Sequence, residues 1–205
     1  RIAYFFFFSS KRLTSLMVVL WNSGPQYQLT RHNAGSLFLD RFAESCGQNI
    51  DGMSAKLVPW KEQSGGYVCE VRDFRYLDTS LDHQILLFKP LSFMNQSGRP
   101  VVQCAKKYKI LPDHWLVLHD EIDLPLLDVR LKIGGGHRGH NGLRDIMSFS
   151  GSGDFSRIRI GVDRPSVGSV ADYVLSKFEP NEVAKFDIIS KHVNQLASEW
   201  LQSKK

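Results

Sequence analysis

A chain of 205 residues, 42% hydrophobic and 23% charged, is long enough to bury one real core and too apolar to stay disordered. Its formal net charge of +5 is compatible with an anionic partner and about equally with the ordinary basic surface of a soluble enzyme. Three cysteines, Cys46, Cys69 and Cys104, without a Cys-x-x-Cys pair, argue against a disulfide framework or a zinc ribbon and fit a reducing compartment.

Taken in order, residues 1–15 form a basic leader: Phe5-Phe6-Phe7-Phe8 is followed by Ser9-Ser10-Lys11-Arg12, and no acidic residue precedes Asp40. The composition fits an organelle-targeting remnant or an extension of the first strand, and the apolar run is too short to span a bilayer. No other stretch is a membrane candidate. Residues 16–205 read as a single α/β domain. The apolar run 16–20 predicts a buried strand that stops at Trp21-Asn22-Ser23-Gly24-Pro25, which puts Asn22 at a strand's C-terminal end. Beyond Tyr27 and His32, the four-residue spacing of Ala34, Phe38 and Phe42 predicts a helix ended by Gly47. Strands are expected over 56–60 and 66–71, joined by the Ser64-Gly65-Gly66 turn, and a loop between Asp73 and Asp82. A further buried strand over 85–88 leads into a loop carrying Met94 and Asn95, and then a helix with Pro100 in its first turn and Val101, Val102, Ala105 and Tyr108 along it.

The stretch from Leu116 to Gly142 carries most of the chemistry. A short apolar run ends abruptly at His119-Asp120-Glu121, so carboxylates stand at the C-terminal end of a strand, where open α/β sheets place ligands. Val129, Leu131 and Ile133 alternate with Arg130 and Lys132, a strand with a basic outer face. The glycine-rich loop Gly134-Gly135-Gly136-His137-Arg138-Gly139-His140-Asn141-Gly142 opens a short helix that stops at Gly151. It lacks the Gly-Lys-Ser/Thr ending of a phosphate-binding P-loop, which argues against nucleotide hydrolysis. Ile158, Ile160 and Val162 alternate with Arg157, Arg159 and Gly161, a strand with a second basic outer face. Residues 163–169 read as a linker or lid, and the spacing of Val183, Phe186, Ile189, Val193, Leu196 and Trp200 predicts an amphipathic helix with Pro180 near its first turn.

The order of elements gives an α/β domain with a mixed central sheet flanked by helices. If the strand ends and helix starts converge, Asn22, Asn95, Asp120, His32, His140 and Asn141 make a polar pocket with an imidazole, a carboxylate and several amides. Such a set suits hydrolysis without a covalent intermediate. Taken singly each residue has a plainer reading. His32 is a helix-start side chain, Asp120 or its neighbour Asp123 a strand-end turn carboxylate, Asn95 and Asn141 turn and cap residues, and Lys132 and Arg159 solvated charges. His119, Asp120, His137 and His140 have the residue types of a metal site but no fixed spacing.

The motifs Asn22-Ser23-Gly24 with Tyr27, Thr30-Arg31-His32-Asn33-Ala34-Gly35, Phe93-Met94-Asn95-Gln96-Ser97-Gly98, His119-Asp120-Glu121-Ile122-Asp123-Leu124-Pro125, Gly136-His137-Arg138-Gly139-His140-Asn141-Gly142-Leu143 and Arg157-Ile158-Arg159-Ile160-Gly161, in this order, resemble the bacterial-type peptidyl-tRNA hydrolase family of bacteria and eukaryotic organelles. The resemblance implies hydrolysis of the ester between a peptide and the 3′-terminal ribose of tRNA, by a monomer, with no metal or other cofactor, in the cytoplasm or mitochondrial matrix. It implies His32 as catalytic base and Asp120 as its orienting partner. Asn22, Asn95 and Asn141 would supply substrate amides, Tyr27, Met94 and His140 would line the site, and Lys132 and Arg159 would face tRNA phosphate. The chain departs from the family's usual small residue, Gly and Pro at Trp21, Val19 and Ser23, and Trp21 puts a bulky ring beside the expected pocket. A non-catalytic RNA-binding adaptor is the alternative these departures suggest. The joint presence of His32, Asp120 and three Asn residues favours the enzyme, because a binding module needs no paired base and carboxylate.

Overall fold

Strand β1 (Thr14–Val19) lies in the middle of the sheet, and Leu16, Met17, Val18 and Val19 are all fully buried. A strand covered on both faces needs a continuous apolar run, which is what the sequence supplies. The computed structural model describes residues 13–82 and 84–204. The expected leader therefore lies outside the described residues up to residue 12, and Thr14 and Ser15 already pair with Gln84 and Ile85.

Beside β1 lie β6 (Gln84–Pro90) and β7 (Trp115–Glu121), both parallel to it, and β9 (Ser156–Gly161) is parallel to β7 on its far side. The antiparallel β8 (Val129–Ile133) closes that edge. Toward the other edge β4 (Gly66–Tyr76) pairs antiparallel with β6 and carries β2 (Met53–Leu57), β3 (Lys61–Gln63) and β5 (Thr79–Ser80). The order through the sheet is β2-β4-β6-β1-β7-β9-β8.

Alternation along β1 and β7 divides the core in two. Met17, Val19, Leu116 and Leu118 meet Phe38 and Phe42 of α1 (Ala34–Gln48) and Phe186 and Trp200 of α6 (Phe186–Gln202). On the other face Leu16, Val18 and Val117 meet Val101 of α2 (Gly98–Tyr108) and Ile146 of α3 (Asn141–Ser150). Each fully buried Phe or Leu contributes about 1.5–3 kcal/mol. Gly35 lets α1 settle against the end of β7, since a Cβ there would run into the Leu118 carbonyl oxygen. Because α1 follows β1 on one face and α2 follows β6 on the other, the crevice above their adjacent C-terminal ends is a topological switch point, where doubly wound sheets take ligands.

Several expectations need correction. The strand expected over 56–60 is β2 and β3 instead, interrupted at residues 58–60 where Pro59 sits. Ser64 and Gly65, both at positive φ, turn β3 into β4. Residues 73–82 are not simply a loop: β4 runs on to Tyr76 because Phe74 is buried against Phe42, and β5 pairs back onto it. Helix α1 passes through Gly47 and stops at Asn49, which takes the left-handed cap. The last helix does not begin at Pro180, which starts the single turn α5 (Pro180–Val183) with a Glu179–Glu182 capping box. A helix unforeseen in sequence, α4 (Val170–Leu175), follows residues 163–169. The basic outer faces also differ from expectation. Arg157 is only 2% exposed, and on β8 the apolar Ile133, at 79%, faces solvent as well as the exposed Arg130.

Candidate active site

His32 precedes α1 in a 3-10 turn, Arg31–Asn33, and this turn aims its ring at the end of β7. The two-residue period of β7 sends Asp120 to the α1 side, and His32 Nδ1 donates to its two carboxylate oxygens at 2.8 and 2.9 Å. His140 caps α3, accepting at Nδ1 from the Leu143 N–H (3.4 Å) and donating from Nε2 to Asp120 Oδ1 at 3.0 Å. One buried carboxylate thus fixes the tautomer and plane of two imidazoles and leaves His32 Nε2 with its lone pair for a substrate or water.

The electrostatics agree with this assignment. Burial alone would raise the Asp120 pKa, but the two imidazoles outweigh it and hold the carboxyl well below the usual range. Burial alone would lower that of His32, yet the Asp120 charge and hydrogen bond lift it above its ordinary 6.5. His119, edge-on to the His140 ring at 5.0 Å and donating from Nδ1 to its neighbour's carbonyl, is pushed down to about 3 by burial and stays neutral.

Asn22 is held with unusual completeness. Asn33 Oδ1 accepts its N–H at 2.8 Å and Asn33 Nδ2 donates to its carbonyl at 2.9 Å. Its own Oδ1 accepts the Met94 N–H at 2.8 Å, so the amide can have only one orientation and Nδ2 is the group left to donate. Asn141 Oδ1 accepts from Arg144, which likewise leaves its Nδ2 as a donor.

These groups open into a cavity of about 570 Å³. Asn22, His32, Met94, Asn95, Asp120, His140 and Asn141 all line it, and the wall opposite is apolar: Val170, Ala171, Val174 and Leu175 of α4, with Ile122. Tyr27 is not on its lining, and neither are Lys132 and Arg159. Trp21 faces elsewhere too. Its indole N–H donates to the Pro90 carbonyl at 2.7 Å and its ring lies under Lys89, beside a separate depression. Val19 is core. The bulky ring therefore leaves the cavity's shape alone, and the adaptor reading loses the observation that suggested it.

Among the described residues no Ser, Thr, Cys or Lys lines the cavity, and burial pushes the thiols of Cys46, Cys69 and Cys104 up to about 12, 11 and 12. The arrangement offers an imidazole, an ionised carboxylate and amide donors, groups of the kind that hydrolytic chemistry uses to activate water and to bind a developing oxyanion. Ligand atoms of His32, Asp120 and His140 lie within 4.8 Å of one another, the only such set among the described residues; His119 and His137, considered from sequence, are not part of it. A cation there would have to replace the protons that Asp120 now accepts.

Sequence reasoning passed over other contributors. Asn33, which locks Asn22, belonged to a motif but had no assigned role. Arg138 and Arg164 line the cavity, as does the unforeseen α4. Arg31 is buried between the rings of Tyr173 and Phe178, 4.9 and 5.1 Å from their centres, with Glu182 accepting from Nη2 at 3.0 Å. Its N–H donates to the Ser176 carbonyl, and Phe178 N–H to that of Leu29, so the chain after α4 is sewn to the turn that carries His32.

The peptidyl-tRNA hydrolase family model matches residues 16–205. Peptidyl-tRNA hydrolase of Trichlorobacter lovleyi is 44% identical over 173 residues, covering 84% of this chain and 81% of its own, and that of Methylococcus capsulatus is 45% identical over 165 residues, covering 80% of each. The crystal structure of peptidyl-tRNA hydrolase from Acinetobacter baumannii superposes with a TM-score of 0.77 at 34% identity, covering 93% of this chain and 90% of that one. With that match along nearly its whole length, the chain belongs to the peptidyl-tRNA hydrolase family.

Proposed function

We infer that the protein hydrolyses the ester between a peptide and the 3′-terminal ribose of tRNA, returning free tRNA to translation. The observation that carries this is the Asp120-held His32 facing a cavity whose other polar lining includes amide donors, on the frame of this family. His32 Nε2 takes a proton from water as the hydroxyl adds to the ester carbon. Asn22 Nδ2, with Asn95 and Asn141, donates to the carbonyl oxygen as charge builds on it. The C–O bond to the ribose then breaks, and the proton held on His32 passes to the departing oxygen. The apolar α4 wall would face the peptide or the terminal base.

Lys132 and Arg159 are our choice for the tRNA phosphates outside the cavity. β8 and β9 register Lys132 opposite Arg157 and Arg130 opposite Arg159, so four cations share one face of the sheet edge. Arg159 gives Nε to Glu121 at 2.9 Å, which fixes the guanidinium and leaves its Nη groups for an outside acceptor. No helix among the described residues is long and apolar enough to cross a membrane. We place the enzyme with its substrate, in the cytoplasm or mitochondrial matrix, acting as a monomer because one chain supplies the whole cavity. The test is release of peptide from a purified peptidyl-tRNA, with and without a chelator. Release unaffected by the chelator is expected. No release would overturn the assignment, and release abolished by the chelator would move the chemistry to a metal at His32, Asp120 and His140.

A further inference from the structure

The rim of the cavity holds a second carboxylate between two cations. Asp123, three residues past Asp120, accepts from Arg164 Nη2 at 2.6 Å, and Arg138 Nη1 stands 4.0 Å from its other oxygen. Both arginines line the cavity, yet they come from separate segments, the glycine loop and residues 163–169. Asp123 is what brings them together. The ion pairs are solvent-exposed, so they contribute little to stability and exchange readily for another anion.

The backbone at Arg138 adds an independent observation. Its φ is +46°, a left-handed conformation that is unfavourable for a residue bearing a side chain. Glycine would meet that requirement without strain, and Gly136 and Gly139 stand close by in the same loop. Strain of this kind at a ligand-facing position is a pointer to function. Arg138 also lies close enough to Lys132 that, after partial burial, its charge is the leading influence lowering the Lys132 pKa, ahead of Arg159 and Arg157. Arg138 thus stands between the cations of the β8 and β9 edge and the cavity mouth, with Glu121 and Asp123 interspersed among them.

We propose that Arg138 and Arg164 together clamp one phosphodiester of the substrate, the one joining its terminal nucleoside to the nucleotide before it, with Asp123 holding the two guanidinia in place until the phosphate displaces it. A carboxylate and a phosphodiester each present two oxygens and one negative charge, and a guanidinium fork fits either. The distribution of groups suits such a ligand. The scissile ester lies at His32, the terminal base has the α4 wall, and the next phosphate outward meets the rim before the chain reaches Lys132 and Arg159. This clamp rests on the reading of the protein as a peptidyl-tRNA esterase and adds to it the point at which the nucleic acid is first gripped.

The experiment compares two small esters of the same N-acetylated amino acid, one on adenosine, which has no phosphate, and one on cytidylyl-(3′→5′)-adenosine, which has one. Wild-type protein is expected to prefer the dinucleotide in kcat/KM by roughly tenfold to a hundredfold, the worth of one charge-assisted hydrogen bond. In Arg138→Ala and Arg164→Ala that ratio should collapse toward one, and Arg138→Lys and Arg164→Lys should restore part of it. Ratios unchanged in both Ala variants overturn the clamp even if both activities fall, because the loss is then one of cavity shape. A preference that follows an acidic residue in the acyl group and ignores the phosphate also overturns it, and assigns the arginines to the peptide. If wild-type protein cleaves neither ester nor intact peptidyl-tRNA, the esterase reading falls and takes the clamp with it.

Discussion

Two aspartates three residues apart, Asp120 and Asp123, each stand between two groups that can be cationic, and they are opposite in every physical respect that matters. Asp120 is 2% exposed and accepts hydrogen bonds from two imidazoles whose other atoms are also committed or aimed at the cavity. Asp123 is 35% exposed in its side chain, and its arginine partners are more exposed still. Burial turns the first contact into a rigid, expensive arrangement that sets a tautomer and a pKa. Solvent turns the second into a loose one that another anion can enter. A rigid carboxylate suits chemistry and a displaceable one suits recognition, and the strand β7 with the turn after it carries one of each within four residues.

The comparison is broken most directly at the base. His32→Ala should lower kcat by roughly 100- to 10,000-fold while tRNA affinity stays within a few-fold, because a positioned base acts on the transition state rather than on ground-state binding. Single-turnover rates together with filter binding check it, and a turnover within about threefold of wild type would remove His32 from that role.

Asp120→Asn comes next. With His32 acting as the proposed base its unprotonated form would be the active one, and its pKa lies above 6.5, so kcat/KM of the wild type should rise with pH through a midpoint above that value. Removing the Asp120 charge leaves burial as the dominant influence, so the midpoint should move down while the plateau rate falls. The double variant with His32→Ala should be little worse than His32→Ala alone. Additive losses would mean that Asp120 acts by a route of its own.

Stability gives a smaller contrast. Asp120→Ala strands two buried imidazole N–H groups and should cost about 1–3 kcal/mol, whereas Asp123→Ala should stay within about 1 kcal/mol of wild type. Denaturant midpoints at constant slope measure both, and equal losses would erase the distinction between the two carboxylates.

The subtlest effect is expected at the sheet edge. Lys132→Ala and Arg159→Ala should each raise KM for intact peptidyl-tRNA and reduce the salt slope of binding by about one, with hydrolysis of a peptidyl-adenosine unaffected. An identical salt dependence in wild type and variants would return both residues to ordinary solvent-facing charge.

How far the sequence reached follows from the kind of signal each feature carries. Strands β1, β6 and β7 were legible because burial on both faces demands unbroken apolar runs, and the Asn22, Asn95 and Asp120 positions followed from where those runs stop. The end of β4 was not, since Phe74 and Tyr76 are its only large apolar side chains after Val71 and polar residues separate them. Helix α4 is six residues long, too short for a helical period to show. Its Ser169 cap, which accepts from the Asp172 N–H, was the one local sign of a start. Arg157 was misread as an outward cation because alternation says which face a residue takes, not what covers that face. It is folded under the glycine loop and donates to the carbonyls of Gly135 and Gly136. Arg31, Arg138 and Arg164 escaped for a similar reason: their partners are distant in sequence, and a lone arginine has no pattern of its own.

The stacking of Arg31 between Tyr173 and Phe178 also bears on how the site moves. The backbone bonds from Arg31 to Ser176 and from Phe178 to Leu29 rivet the chain after α4 to the segment just before the base, so wall and base travel as one piece. α4 is thereby a fixed jamb and not a hinged door, and swinging it outward would drag His32 off Asp120. The cavity's other side lies between the glycine loop and residues 163–169, which Asp123 links through exposed ion pairs to Arg138 and Arg164, and that side is the looser one. Amide exchange should register this as two rhythms: Arg31 and Phe178 slow and in step, Gly139 and Gly168 fast.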